Sequence, residues 1–149
     1  MNQIQVNSFE ESLQRFGVLI YGNRGDSMCP LIREGRDKVV ISPKPQGRLS
    51  KYDVPLYRRD DGKYVLHRIM KVRKNDYLIC GDNRYYLEEG IDDHHIIGVM
   101  TGIIRNGETL RVSDSRYRLY VVVWCWRIPF LIRRIALKAR SFLRKCFVH

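Results

Sequence analysis

The chain has 149 residues, 44% of them hydrophobic, and a formal net charge of +11, which is the size of one domain with a sizeable core. Ordinary apolar content excludes a disordered chain. Cys29, Cys80, Cys125 and Cys146 are widely spaced with no Cys-x-x-Cys pair, which argues against a compact zinc site and for a reducing compartment. We therefore expect no metal and no cofactor.

The first predicted element is a short helix. Ser8 and Glu11 have the spacing of a capping box, in which Ser8 accepts a hydrogen bond from the amide three residues on. The helix should continue to about Arg15 and end at Gly17. Residues 1–7 are polar and the first apolar run is too short to span a bilayer, so we expect neither a secretory signal nor an N-terminal anchor.

Most of the remaining chain is predicted to form short strands. Asp60-Asp61-Gly62 and Asn106-Gly107 are strong hairpin turn signals. We expect a mainly β fold with coiled antiparallel sheets. The predicted strands are 18–21, 37–41, 53–58, 63–72, 77–80, 96–104 and 109–112.

A tight turn after the first strand presents a serine. Gly25 and Asp26 precede Ser27, Gly25 allows the chain to turn where a side chain would obstruct it, and Pro30 forbids a continuing central strand. The Ser27 hydroxyl should therefore lie at the rim of a sheet. Taken by itself, the pattern also fits an ordinary turn.

Two later segments bear on that serine. Alternation along the predicted strand places Val65, His67 and Ile69 on one face, which partly desolvates the imidazole and favours its neutral form. A core-edge histidine bonded to a backbone carbonyl is the plainer interpretation. The second segment is Gly81-Asp82-Asn83, which follows the strand at 77–80.

With these three segments in this order, residues 17 to 104 resemble the S24/S26 superfamily of serine peptidases, which holds the type I signal peptidases and the repressor-type peptidases. Ser27-Met28-Cys29-Pro30-Leu31-Ile32 looks like the nucleophile segment, and Gly81-Asp82-Asn83 looks like the later Gly-Asp-Asn segment. His67 stands where bacterial signal peptidases carry a lysine, and is similar to the endoplasmic-reticulum and archaeal type. The resemblance implies coiled antiparallel sheets of the signal peptidase type.

The resemblance implies a catalytic pair in which Ser27 attacks and neutral His67 takes its proton. Asp82 would either hold the other ring nitrogen as a third member or only cap a turn. The oxyanion is expected at the Ser27 amide, within the turn Gly25-Asp26-Ser27. The candidates for a substrate groove beside the pair are Met28, Pro30, Leu66 and Ile69.

The sequence also departs from the signal peptidases. Gly25 stands where many of them carry a hydroxyl residue that helps to bind the oxyanion, and this glycine is the repressor-like choice. The acid that follows the Gly-Asp-Asn segment is not identified, because Glu88, Asp92 and Asp93 all compete for that role. We also expect no counterpart of the membrane anchor that leads into the nucleophile segment in signal peptidases.

The C-terminal segment, 119–149, is apolar and basic, whereas residues 1–118 are assigned to the β domain. From Arg127 onward there are seven Lys or Arg and no acid. Helical spacing puts one apolar face opposite a basic face, the pattern of an interfacial helix. The candidates for membrane contact are Trp124, Trp126, Phe130, Arg133, Arg134 and Lys138.

The sequence thus predicts a serine endopeptidase that cleaves an extended peptide or a leader-bearing precursor and is held peripherally at an anionic membrane face. Cysteine usage and the absence of a signal favour the cytoplasmic side, whereas the signal peptidase likeness favours the opposite one, and we expect the cytoplasmic side. The alternative is a catalytically inactive module that binds a peptide or a membrane protein. Nucleic acid is not an expected partner, because no recognition motif accompanies the positive charge.

Overall fold

The structure is a computed structural model that describes residues 8–146, except for the side chains of 127–130 and 145–146. It is mainly β, with curled antiparallel sheets between a short N-terminal helix and a C-terminal helical segment. The strands are β1 (Leu19–Gly22), β2 (Asp37–Pro43), β3 (Pro55–Arg58), β4 (Tyr64–Leu66), β5 (Arg68–Val72), β6 (Tyr77–Cys80), β7 (Glu88–Ile91), β8 (Ile96–Arg105) and β9 (Glu108–Arg111). The helices are α1 (Phe9–Phe16), α2 (Ser115–Tyr120) and α3 (Arg127–Cys146), with a π-helical segment at Val121–Cys125. The predicted mainly β architecture is confirmed at this level.

Helix α1 begins and ends where its sequence predicts. The Ser8 hydroxyl accepts a hydrogen bond of 3.1 Å from the Glu11 amide. Gly17 has a φ of 68°, and its amide donates to the Leu13 carbonyl, which is how a left-handed glycine closes a helix. Leu13 is buried and attaches α1 to the core.

The strands form two antiparallel sheets. The larger has the order β1-β2-β8-β3-β4, with β9 also paired to β8, and the smaller has the order β5-β6-β7. Within the described residues, β1 and β4 lie at the two ends of this strand order and are its edges, and β9 pairs only with β8.

The single strand predicted over 63–72 is two strands that belong to different sheets. β4 pairs with β3, whereas β5 pairs with β6, and His67 lies at the crossing between them. Leu66 packs in one hydrophobic cluster and Ile69 in the other, so the chain changes sheets to bury both. Strand β7 was not predicted, because its sequence Glu-Glu-Gly-Ile lacks a β pattern and only its pairing with β6 makes it a strand.

Strand β3 joins the two hydrophobic clusters. Leu56 packs in the cluster of the larger sheet, and Tyr57, the next residue, packs in the cluster of the smaller sheet. Because successive side chains of a strand point to opposite faces, β3 is buried on both sides. This position places the Tyr57 hydroxyl beside the crossing at His67.

A buried ion pair lies between the sheets and the C-terminal segment. Arg68 and Asp82 are 0% and 1% exposed, and the guanidinium donates two hydrogen bonds to the carboxylate, at 2.8 and 2.7 Å. Arg68 also donates to the Tyr52 carbonyl at 3.0 Å and to the Tyr117 hydroxyl at 2.9 Å. The pair is therefore bidentate and further hydrogen-bonded, the geometry that a buried charge requires.

Asp82 also attaches the C-terminal segment to the β domain, through its carboxylate and its backbone carbonyl. The Tyr120 hydroxyl donates to Asp82 Oδ2 at 2.9 Å, and Trp124 Nε1 donates to the Asp82 carbonyl at 3.0 Å. Tyr117 of α2 belongs to the hydrophobic core. The division predicted between residues 118 and 119 thus falls inside α2, and the segment is packed on the domain.

We predict that Asp82→Ala lowers the free energy of unfolding by about 3–5 kcal/mol, because it leaves the Arg68 guanidinium buried and unpaired. Denaturant unfolding at pH 7 measures the change. Glu89→Ala, which removes one of the two carboxylates that pair with Arg73 near the surface, is the control and should change the stability little. An Asp82→Ala variant as stable as this control would contradict the prediction.

Candidate active site

The Ser27 turn lies at the rim of the larger sheet. Gly25 has a φ of 80°, which a glycine adopts without strain, and the Cys29 amide closes the turn on the Asp26 carbonyl at 3.0 Å. Ser27 is half-buried, while Met28 is fully buried in the core and anchors the turn from below. Within the described residues the Ser27 amide has no hydrogen-bond partner, so this donor is available to an incoming oxygen.

Residues after Gly81 hold this turn in place. The Asn83 amide donates to the Ser27 carbonyl at 2.8 Å, and its side-chain amide donates to the Asp26 carbonyl at 3.2 Å. Arg84 bonds the Asp26 carboxylate at 2.7 Å and thereby lowers the pKa of Asp26. Two segments that are far apart in the sequence therefore form one unit.

His67 reaches the same place from the crossing between β4 and β5. Its side chain is almost fully buried, and its Nε2 faces Gly81. A Cβ added to Gly81 would lie 3.1 Å from His67 Nε2 and 2.7 Å from the Ser27 carbonyl oxygen. Only glycine fits between the histidine and the serine turn. Among the described residues, no hydrogen bond joins the Ser27 hydroxyl to His67.

The other ring nitrogen of His67 faces Tyr57 and Glu88. Nδ1 lies 3.4 Å from the Tyr57 hydroxyl and 3.9 Å from Glu88 Oε2. Tyr57 donates its proton to Glu88 at 2.7 Å, so the tyrosine oxygen is left as an acceptor for an Nδ1 proton. This network favours the tautomer in which Nε2 is the unprotonated nitrogen on the side of Ser27.

The charges around His67 follow from burial and from Arg59. Burial lowers the pKa of His67 to about 4, although the Glu88 carboxylate acts in the opposite direction. Burial also opposes the ionisation of Glu88, but hydrogen bonds from Arg59 and Tyr57 outweigh it and lower the Glu88 pKa. At neutral pH, a neutral imidazole therefore faces an ionised carboxylate.

Of the three acids that could follow the Gly-Asp-Asn segment as a site residue, Glu88 is the one that lies near His67. Glu88 lies beside His67, whereas Asp92 is bonded to His95 and Asp93 accepts the Tyr77 hydroxyl proton. No local pattern in the sequence distinguishes Glu88 from the other two acids. Tyr57, which links Glu88 to the histidine, was missed because nothing in a buried strand sequence marks one tyrosine as part of a site.

Asp82 is not a partner of His67. Its carboxylate accepts from Arg68 and Tyr120, so neither the triad role nor the turn-capping role describes it. The physical reason is that successive side chains of a strand point to opposite faces. Arg68 therefore points away from the side of His67, and it is Arg68 that bonds Asp82. Asp82 acts on the site by fixing the backbone between Gly81 and Asn83.

Two of the predicted groove residues are wrong. Met28 and Ile69 have no exposed surface and belong to the two cores, so a substrate has no access to them. Pro30 is half-buried in the turn. Leu66, although largely buried, does line a groove of about 780 Å³.

That groove lies between the two edges of the larger sheet. One wall comes from β1 and the residues after it, and the other from β3, β4 and the turn between them. Its lining residues are Phe9, Tyr21, Gly22, Asn23, Arg24, Leu56, Gly62, Lys63, Tyr64 and Leu66. One wall reaches Arg24, three residues before Ser27, and the other reaches Leu66, which precedes His67. A larger concavity of about 880 Å³ lies beside α1 and His94, and neither Ser27 nor His67 lines either cavity.

The predicted membrane-contact residues divide between the two sides of the C-terminal segment. Trp126 and Lys138 are exposed, whereas Trp124 contacts Asp82. Arg133 is buried and donates to the Trp124 carbonyl at 3.1 Å, and Arg134 donates to the Tyr85 carbonyl at 2.5 Å. The expectation that these two arginines contact a membrane is wrong, because both are turned toward the domain. The side chain of Phe130 lies outside the described ones.

Over the described residues, no helix is both long enough and apolar enough to cross a bilayer. Within the same part of the chain, no group of three or more His, Cys, Asp or Glu side chains is arranged to hold a metal ion. No protein-family model matches the chain, and no curated protein matches it. The interpretation of the site therefore depends on its own geometry and on the three sequence segments.

We predict that Gly81→Ala disrupts the site. The added methyl group would lie 2.7 Å from the Ser27 carbonyl oxygen and 3.1 Å from His67 Nε2, so backbone must move, at about 1–3 kcal/mol of stability. Amide NMR shifts at Ser27 and Asn83 and denaturant unfolding measure the effect. Gly22→Ala is the matched control, because a Cβ there meets nothing within 4 Å; equal behaviour of the two variants would refute the steric argument.

We predict that His67 makes the fold sensitive to acid. The pKa of His67 is about 4 in the folded chain, against an ordinary value of 6.5, so below pH 6.5 the unfolded chain binds a proton that the folded chain does not. Stability should fall from pH 6.5 to pH 4 by about 3 kcal/mol on account of this residue. Denaturant unfolding across this window should show a shallower pH dependence for His67→Gln. The exposed His94→Gln is the control, and an unchanged slope in His67→Gln would count against a buried neutral imidazole.

Proposed function

We propose that this chain is a serine endopeptidase of the S24/S26 type, with Ser27 as nucleophile and His67 as general base. The observation that supports the proposal is the arrangement around Gly81, where the Ser27 carbonyl oxygen and His67 Nε2 both lie within 3.1 Å of the position that a Cβ on this glycine would take. A metal ion or cofactor has no role in this mechanism.

The reaction uses the neutral imidazole. Ser27 Oγ attacks the carbonyl carbon of the scissile bond while His67 Nε2 takes the hydroxyl proton, and the carbonyl oxygen becomes an oxyanion that the Ser27 amide stabilises. The new imidazolium is stabilised by the Tyr57 hydroxyl and by ionised Glu88. His67 then gives the proton to the leaving amine, and a water molecule hydrolyses the acyl-enzyme by the same steps.

The substrate is proposed to be an extended peptide, as in a leader-bearing precursor. β1 and β4 are sheet edges on either side of the groove, and an extended chain adds to such edges through backbone hydrogen bonds. Neither Ser27 nor His67 lines the groove, but its walls end three residues before Ser27 and one residue before His67. A peptide bound along the groove would therefore be carried toward Ser27.

The second candidate function is a catalytically inactive module that binds a peptide or a membrane protein. The observation that favours it is that, within the described residues, Ser27 and His67 share no hydrogen bond. In serine peptidases this contact often tightens only when substrate is bound, so the geometry around Gly81 supports the enzyme more strongly. Both functions use the same groove.

We predict that Ser27 is labelled covalently by a fluorophosphonate probe, and that Ser27→Ala loses the label and at least about 10³-fold of peptide cleavage while keeping its stability. His67→Gln should lose comparable activity. The control is Ser113→Ala, at an exposed serine in a turn. Wild-type protein that binds extended peptides but neither labels nor cleaves them would establish the inactive module instead.

A further inference from the structure

The C-terminal segment carries an apolar face that points away from the domain. Among the described residues from α2 to α3, eight large apolar residues are each more than half exposed. They are Leu119, Val123, Trp126, Leu131, Ile132, Ile135, Phe142 and Leu143. An exposed apolar surface of this extent is unusual for a protein surface and marks an interaction site. We call it the apolar face.

The polar side of α3 is the side that faces the domain. Arg133 donates to the Trp124 carbonyl and lies over the Trp124 ring at 5.4 Å, and Arg134 donates to the Tyr85 carbonyl. Helical spacing places Ile132 and Ile135 on the opposite side of the helix from these contacts. The apolar face points outward because arginine, not leucine or isoleucine, attaches the helix to the domain.

The charges around the apolar face identify its occupant. No acidic residue occurs after Asp114, and the exposed basic residues beside the face are Arg116, Arg118, Lys138, Arg140 and Arg144. Two copies of the chain packed through this face would bring like charges together. An anionic lipid surface instead matches both the apolar face and the positive charge beside it.

We propose that the apolar face inserts into the headgroup–acyl boundary of an anionic bilayer and holds the chain there peripherally. Trp126 suits that boundary because its ring is amphipathic. The inward contacts then fix the orientation, since Arg134 bonds the carbonyl of Tyr85, two residues after Asn83. The loop that supports Ser27 therefore lies about one helix diameter, roughly 10 Å, from the lipid surface. If the chain is the proposed peptidase, its substrate would emerge from the membrane. The docking itself does not depend on the proposed function.

Vesicle binding tests the docking directly. The full chain is mixed with vesicles of phosphatidylcholine and phosphatidylserine, and binding is followed by co-sedimentation and by the fluorescence of the two tryptophans, Trp124 and Trp126, which both lie in this segment. We expect a blue shift and binding that weakens as salt rises, because anionic lipid contributes by screened attraction. Vesicles of phosphatidylcholine alone should bind at least tenfold more weakly.

Variants on and off the apolar face separate insertion from simple charge attraction. Ile135→Gln and Phe142→Gln keep the charge and should each weaken vesicle binding about tenfold or more, the effect of losing one inserted apolar side chain. Val72→Gln, at an exposed apolar residue of β5, is the matched control and should bind as the wild type does. Circular dichroism confirms that each variant remains folded.

Three outcomes would overturn the proposal. One is equal loss of binding in Val72→Gln and Ile135→Gln. Another is an apolar face that mediates a dimer, detected by sedimentation velocity and abolished by Ile135→Gln without any effect on vesicles. The last is tighter binding to duplex DNA than to anionic vesicles. Ser27→Ala should bind vesicles like the wild type. The docking is therefore tested independently of the peptidase proposal, and a failure of one can be distinguished from a failure of the other.

Discussion

The buried pair of Arg68 and Asp82 is the constraint on which the rest of the structure depends. Two charges without solvent must satisfy each other and all their remaining hydrogen bonds, or the fold loses several kcal/mol. Here the pair is further bonded to the Tyr52 carbonyl and to the hydroxyls of Tyr117 and Tyr120, which both lie in α2. Because Arg68 follows His67 and Asp82 follows Gly81, the same interaction fixes the backbone on both sides of the candidate site.

Two of the carboxylates around the site, those of Asp82 and Glu88, have separate tasks. Asp82 is neutralised by Arg68 and supports the backbone, whereas Glu88 is held ionised by Arg59 and faces His67 through Tyr57. Burial keeps the imidazole uncharged between these two ion pairs. The arginine that pairs with each acid thus determines its role, Arg68 for Asp82 and Arg59 for Glu88. The neutral histidine is the group that can accept a proton at neutral pH.

The C-terminal helix reverses the usual arrangement of an amphipathic helix on a globular domain. An apolar stripe normally faces the core and the charged side faces water. In this chain Arg133 and Arg134 make the inward contacts with carbonyl groups, and the core is already closed by Tyr117 and Tyr120 of α2. The apolar side is then left for a surface that the chain does not itself supply.

The sequence by itself determined the features that depend on neighbours along the chain. The cap at Ser8, the close of α1 at Gly17, the hairpin turns and the amphipathic α3 all follow from local spacing. Only the tertiary structure decided that the strand divides at His67, that Glu88 rather than Asp82 faces the histidine, and that α3 turns its arginines inward. Alternation and helical spacing state which side chains share a face. They do not determine what that face packs against. The partner comes from a distant part of the chain, and it depends on which groups can be buried together and which charges can be paired.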